Sequence, residues 1–404
     1  MIGPMLQLRA WQWTRTCMQA ATLLLLALVL HEGDYGRYVT AVAMATCLAP
    51  LLVSGPAVVY MHSHKAFGST REQIATLWSR TLVVVGLPCA ALVMLAMLAL
   101  GDDWRDALLW LGVGVADIVM IGFAELRARY EEGRGRASRM VLWQAAPHAL
   151  RLVAVLAVIA WDVALRLDAW VAIALALSAV VALGAMTVPR KDAPRSWDAV
   201  RRLVRVGFRY GEGGTANRIL SDGDKPIVLR VIDAATSGAL FFAQRIVDLV
   251  GFPLQASVAS TLPGLLHATP EARVALWRRA IWWPAAYALL AGGVLFVLSA
   301  LLRSSAPQFA LAADALVWLC WLPMLDFARG MLGNAAIVAG RGDAFTHGLW
   351  LGAVLRVGAA LALVVPFGWR GAVAGLAIAE LATLVYLLIS ARRAAVVSRH
   401  VPHA

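Results

Sequence analysis

The sequence predicts an all-α polytopic membrane protein: twelve transmembrane helices in two six-helix bundles. Three observations carry this. Hydrophobic residues make up 61% of the 404 and charged residues 15%, and the mean hydropathy is +0.73. Soluble domains are about half apolar and a quarter charged, and a soluble core of this size would still need a polar skin. Second, twelve apolar runs approach or exceed the roughly 20 residues that span a bilayer. Third, the basic residues alternate in density between successive connections, as membrane topology requires.

In order, the runs cover about 12–30, 38–60, 80–100, 107–126, 140–161 and 168–188, then about 205–230, 236–258, 280–302, 309–339, 347–366 and 371–391. The first is too long for a signal peptide and lacks a small-residue cleavage site, so it reads as a span. Short acidic turns, His31-Glu32-Gly33-Asp34 and Gly101-Asp102-Asp103-Trp104, follow the first and third. The arginine-rich stretch from Arg127 to Arg139 follows the fourth. The seventh run is interrupted by many charges, and the tenth is over-long and broken near Pro323.

With both termini cytoplasmic, 24 of the 36 Lys and Arg fall in inner segments and seven in outer ones. That asymmetry fixes the orientation. It also accounts for the net charge of +12 without nucleic acid, because the basic loops meet anionic lipid headgroups. Trp11, Trp13, Trp78, Trp104, Trp161, Trp277, Trp282 and Trp369 fall near span ends, as an interfacial belt requires. Cys17, Cys47, Cys89 and Cys320 lie apart in apolar runs with no CxxC spacing, so neither zinc nor thiol redox chemistry is expected. No cofactor or metal is implied.

Two halves are legible. Residues 1–188 form an N-terminal six-helix bundle, 189–204 a cytoplasmic linker and 205–404 a C-terminal six-helix bundle. The linker opens as Pro189-Arg190-Lys191-Asp192-Ala193-Pro194. Trp197, Val200, Leu203, Val204 and Phe208 then recur at helical spacing with arginines opposite, the pattern of an interfacial amphipathic helix. Three matches at offsets of 202 to 207 residues suggest duplication: Tyr35-Gly36 with Ser237-Gly238, Gly133-Arg134-Gly135 with Gly340-Arg341-Gly342, and Leu150-Arg151 with Leu355-Arg356. Parallel repeats of this kind are characteristic of transporters.

Charges inside the membrane cost about 2.5–3.5 kcal/mol each on insertion scales, so they face a partner or a cavity. Arg218 with Asp222, Arg245 with Asp248 and Asp326 with Arg329 are spaced to share a helix face. Arg151 and Arg356 have no local acid. Their counter-charge must come from Asp117, from Glu380 or from an anionic ligand, and the guanidinium fork suits phosphate. The seventh span is densest, with Gly207, Gly211, Gly213 and Gly214 beside Glu212, Arg218, Asp222, Asp224 and Lys225. Its glycines permit close approach or unwinding, and its charges require water or a cavity. Asp222-Gly223-Asp224 resembles a DxD metal triplet, but the large soluble domain of such enzymes is absent. Glu212, Asp222 and Asp224, with Asp117, are candidates to bind a coupling proton or sodium ion instead.

From Gly207 to Ala256 the chain resembles the Wzx-type oligosaccharide/polysaccharide flippases of the MATE-like MOP superfamily. Gly207, Tyr210, the run Arg218-Ile219-Leu220-Ser221-Asp222-Gly223-Asp224-Lys225, Ala235-Thr236-Ser237-Gly238, Gln244-Arg245-Ile246-Val247 and Pro253-Leu254-Gln255-Ala256 carry the resemblance. Gly33-Asp34-Tyr35-Gly36-Arg37-Tyr38 and Ser54-Gly55-Pro56 resemble that family's second helix. The chain departs from it at Tyr60-Met61-His62, where a basic residue is more usual. It also lacks the thirteenth and fourteenth helices of a lipid II flippase with an added groove.

The resemblance implies a MATE-like, V-shaped transporter of the bacterial inner membrane. It would flip undecaprenyl-diphosphate-linked oligosaccharide by alternating access, for lipopolysaccharide or exopolysaccharide synthesis, without enzymatic chemistry. Arg151, Arg218, Arg245 and Arg356 would meet the substrate's diphosphate. A polysaccharide polymerase and glycosyltransferases would be its partners. The alternatives are a MATE-type cation-coupled multidrug antiporter, which would need an acidic cavity, and a polytopic O-antigen polymerase or glycosyltransferase, which would need a large outer loop.

Overall fold

The computed structural model describes residues 2–63, 68–189, 191–193 and 196–400, with side chains between 14 and 392 apart from 63, 270 and 271. Among these residues all regular structure is helical. The first six long helices are α1 (Ile2–Val29), α2 (Glu32–His62), α3 (Arg71–Ala99), α4 (Trp104–Gly133), α5 (Ala137–Ala160) and α6 (Leu167–Ala185). Next come α7 (Trp197–Asp222), the short α8 (Lys225–Val231), α9 (Ala234–His267) and α10 (Pro270–Ser305). The last four are α11 (Pro307–Leu319), α12 (Leu322–Val338), α13 (Gly342–Phe367) and α14 (Trp369–His400).

Among the described residues nine helices are long and apolar enough to cross a membrane, and the α11–α12 pair, bent by 48°, makes a tenth. Helix α1 contributes a shorter apolar stretch, Thr14–Val29. Helix α7 falls short because of its charges. The chain is therefore a multi-pass membrane protein, and each of the twelve expected runs corresponds to a helix or to a broken pair. The bend lies at Cys320 and Trp321, immediately before Pro323, as the proline predicts.

The chain folds as two compact units: residues 1–218 with 233–238, and residues 219–232 with 239–404. The division thus falls inside α7, later than the 189–204 linker expected from the sequence. Arg190, Pro194 and Arg195 of that linker lie outside the described residues. The expected amphipathic segment is the first half of α7 itself: Val200 and Leu203 are buried, Arg201 and Arg205 exposed, and Trp197 and Phe208 also face outward.

The first unit is held by aromatic and small-residue packing. Trp78, Trp110 and Trp170 are fully buried. Trp170 meets Tyr38 edge-on at 6.3 Å, and Trp78 Nε1 donates to the Leu52 carbonyl at 2.9 Å. That bond lies where α2 breaks at Val53, between Pro50 and Pro56. The glycine face of α7 fits this break. A Cβ on Gly55 would fall on the Gly207 carbonyl, and a Cβ on Gly211 would sit 2.5 Å from the Pro50 carbonyl. The glycines of the seventh span therefore serve close approach, and α7 stays continuous. Residues 233–238 join this unit at a second such crossing. A Cβ on Gly238 would lie 3.0 Å from Gly36 Cα, and the Thr40 and Ser237 hydroxyls share a 2.9 Å hydrogen bond. Gly36 and Gly238 are the glycines matched in the internal repeat.

The second unit centres on the α13–α14 hairpin, turned at Gly368 with φ +59°, a conformation that favours glycine. Gly371 packs against the backbone of Leu363 and Val364, and Gly375 against Ala359 and Ala360. A separate cluster of Leu254, Ala288, Phe327 and Met331 joins α9, α10 and α12. Large apolar side chains such as Leu92, Leu108, Trp282, Trp283, Val354 and Val365 point outward. That exposure suits a surface whose solvent is hydrocarbon.

Candidate functional site

A pocket of about 170 Å³ opens inside the first unit. That is below the roughly 300–1,000 Å³ of sites that enclose drug-sized ligands, so it fits a headgroup rather than an oligosaccharide. Helix α1 contributes Arg15, Gln19 and Thr22, and α2 contributes Tyr38 and Thr46. Asp117 and Ile121 come from α4, His148 and Arg151 from α5, and Arg218 from α7. The helical period explains this convergence. Arg15, Gln19 and Thr22 stand four and three residues apart, as do His148 and Arg151 at three, so each set shares one face.

Asp117 owes its position to a local irregularity. Residues Val115–Met120 form a π-helical turn within α4, and such turns insert an extra residue that re-aims neighbouring side chains. The Asp117 carboxylate meets Arg151 Nη1 at 2.7 Å, and Arg151 Nη2 donates to Ser178 Oγ at 2.9 Å. Arg151 is thus held on both arms while still lining the pocket. Arg15 and Arg218 are half-buried and, among the described residues, have no carboxylate within ion-pair distance. His148 is 4% exposed, and its Nε2 has no hydrogen-bond partner among the described residues. Among the described lining residues, three arginines against one aspartate give a formal charge of +2.

The other expected site residues lie elsewhere. Arg356 is 2% exposed and bonded to Asp224 at 2.8 Å and to the Ala372 carbonyl at 2.6 Å. Lys225 shares Asp224 at 2.8 Å. Arg356 is not among the residues that line the pocket; its charge is set against Asp224 in a buried cluster of the second unit. Arg245 pairs with Asp248 at 2.6 Å, as its spacing predicts, and also with Asp222. Its guanidinium lies over the Phe241 ring at 4.5 Å. Asp222 is taken by Arg245 and makes no pair with Arg218 among the described residues, contrary to the sequence spacing. Arg329 pairs with Asp326 at 2.6 Å, as expected, and with Glu380 at 3.0 Å, while Arg356 acts on Glu380 from beyond ion-pair distance. Asp222 and Asp224 turn to different cations. Glu212 is half-buried and has no ion pair among the described residues.

Sequence reasoning misses Arg15 and His148. It counts Arg15 as an orientation charge, although α1 begins near Ile2, thirteen residues earlier, which places Arg15 well inside the helix. The polar stripe Arg15, Gln19, Thr22 is the signal available. His148 carries a weaker signal, its position on the same helix face as Arg151.

No family model and no curated protein matches the sequence. Solved structures do match. One is the inward-facing conformation of a multidrug resistance MATE family transporter of the MOP superfamily, at 16% identity over 97% of this chain and 96% of that one, with TM-score 0.72. A second is the lipid II flippase MurJ in an inward closed conformation, at 12% identity over 94% and 87%, with TM-score 0.69. A third is the MATE multidrug transporter DinF-BH, solved as a complex, at 14% identity over 96% and 93%, with TM-score 0.65. At these identities the likeness is one of fold, and the chain accordingly has the all-helical, MATE-like fold of the MOP-superfamily transporters.

Proposed function

We propose that this protein translocates an undecaprenyl-diphosphate-linked oligosaccharide across the bacterial inner membrane, by alternating access and without covalent catalysis, for surface polysaccharide synthesis. Both termini would be cytoplasmic, and a polysaccharide polymerase and glycosyltransferases would act beside it. The observation that carries this reading is that Arg15 and Arg218, which form no ion pair among the described residues, face the same pocket as Arg151. A half-buried cation with no ion-pair partner is costly, and an anionic ligand would offset that cost. The formal +2 of the pocket complements the two negative charges of a diphosphate diester, and its size suits that group alone. A cationic drug would meet repulsion there.

The test is flipping of a fluorescent prenyl-diphosphate-linked sugar in proteoliposomes. Arg15→Ala and Arg218→Ala should each reduce the rate by about tenfold or more, the loss expected for a hydrogen bond to a charged group. A deletion strain should accumulate lipid-linked repeat units facing the cytoplasm. Unimpaired flipping by both variants would overturn the role given to the two arginines, and absence of flipping by the parent together with efflux of a cationic dye would favour the multidrug antiporter and overturn this reading.

A further inference from the structure

The pocket contains one carboxylate among its three arginines, and the fold aims that carboxylate specifically. Asp117 stands on a π-helical turn, an irregularity that an ordinary structural ion pair would not need. It is buried, lines the pocket and reaches Arg151 from a neighbouring helix. Ser178 fixes the other arm of Arg151, so the guanidinium is already positioned beside the ligand space. Among the described residues Arg15 and Arg218 form no ion pair and line the space an incoming anion would enter, while Arg151 is paired with Asp117.

We infer that Asp117 is an internal counter-anion that competes with the substrate's diphosphate for Arg151 and so limits affinity enough for release. This rests on the anion-binding reading of the pocket. In the empty pocket Asp117 stands where a phosphate oxygen would stand. On binding, the diphosphate is held by Arg15 and Arg218 and shares Arg151 with Asp117. On release, Asp117 recaptures Arg151, so the departing anion does not leave a bare buried cation. A carrier needs this balance, because a pocket that binds too tightly does not turn over.

The test uses the full chain in detergent and a short-chain prenyl diphospho-sugar, whose diester retains two negative charges across neutral pH. Calorimetric titration should show Asp117→Asn binding this probe about tenfold or more tightly than the parent, since one negative charge has left the pocket. Reconstituted Asp117→Asn should show a lower KM together with a lower kcat, the split expected when release becomes limiting. Arg151→Gln should weaken binding severely, because it leaves Asp117 as an unbalanced negative charge. The charge-neutral double variant Asp117→Asn/Arg151→Gln should restore binding to within about tenfold of the parent. The double variant removes the ion pair as a unit, so it remains informative if Asp117→Asn alone does not fold. Equal or weaker binding by Asp117→Asn, or no recovery in the double variant, overturns the inference. Absence of probe binding to the parent protein instead overturns the anion-binding reading itself.

Discussion

Arg356 and Arg218 are both arginines of the hydrophobic interior, and their surroundings give them opposite expected phenotypes. Arg356 is enclosed with Asp224 and Lys225. Removing it takes one of two cations from a fully buried carboxylate, and breaking buried pairs costs about 3–5 kcal/mol. Lys225 still shares Asp224, which places the loss toward the lower end of that range. Arg356→Ala should therefore lower the thermal unfolding temperature in detergent, with activity lost only in step with folded protein. Arg218 has, among the described residues, no ion-paired carboxylate to abandon. Arg218→Ala should leave the unfolding temperature nearly unchanged while transport falls. A thermal melt and a flipping assay on the same two preparations check both outcomes. The sequence could not separate the two residues, because partners one helix turn away are legible in spacing whereas Arg356 meets Asp224 across 132 positions of chain. The pair at Arg245 and Asp248 was legible for the first reason; the capture of Asp222 by Arg245 was hidden for the second.

Among the helices, α2 and α7 show how small residues set an interface. Gly55 meets the Gly207 carbonyl with no room for a methyl group. Gly55→Ala must push α7 away from the break in α2, and overpacking of this kind costs about 1–3 kcal/mol. Gly251, in α9, has open space where its Cβ would stand. Gly251→Ala should be neutral or raise stability by up to about 1 kcal/mol, the helix-propensity difference. Melting temperatures of the two variants, measured side by side, test the distinction. The cluster of glycines in the seventh span was visible in the sequence, and close approach was one of its two expected uses. Which helix it would approach was not visible, since that depends on the Pro50–Pro56 break meeting it in space. The π-helical turn at Asp117 had no sequence signal either: Val115-Ala116-Asp117-Ile118-Val119-Met120 is composed like an ordinary helical segment.

For the whole chain, hydropathy sufficed for the all-helical membrane fold and roughly for the number of spans, because the bilayer constrains helix length directly. The pocket was less accessible. It draws on α1, α2, α4, α5 and α7, and only Arg151, Arg218 and Asp117 stood out as charges within spans. Arg15 was masked by the rule behind the expected orientation, since a cation near a span end is read as an orientation signal.

The continuity of α7 has a mechanical consequence. One unbroken rod carries the exposed Arg201 and Arg205 near its start and the pocket's Arg218 near its end, about 20–25 Å away along the axis. A helix is stiff over that length, so torque applied at one end reaches the other. Arg201 and Arg205 are suited to anionic lipid headgroups, so the charge of the surrounding bilayer should bear on the geometry of the distant pocket. Flipping rates should then depend on the anionic lipid fraction of the vesicle. Replacing Arg201 and Arg205 with Gln should flatten that dependence while Arg218 stays in place. An unaltered lipid dependence in the double variant would show that the two ends of the rod act independently.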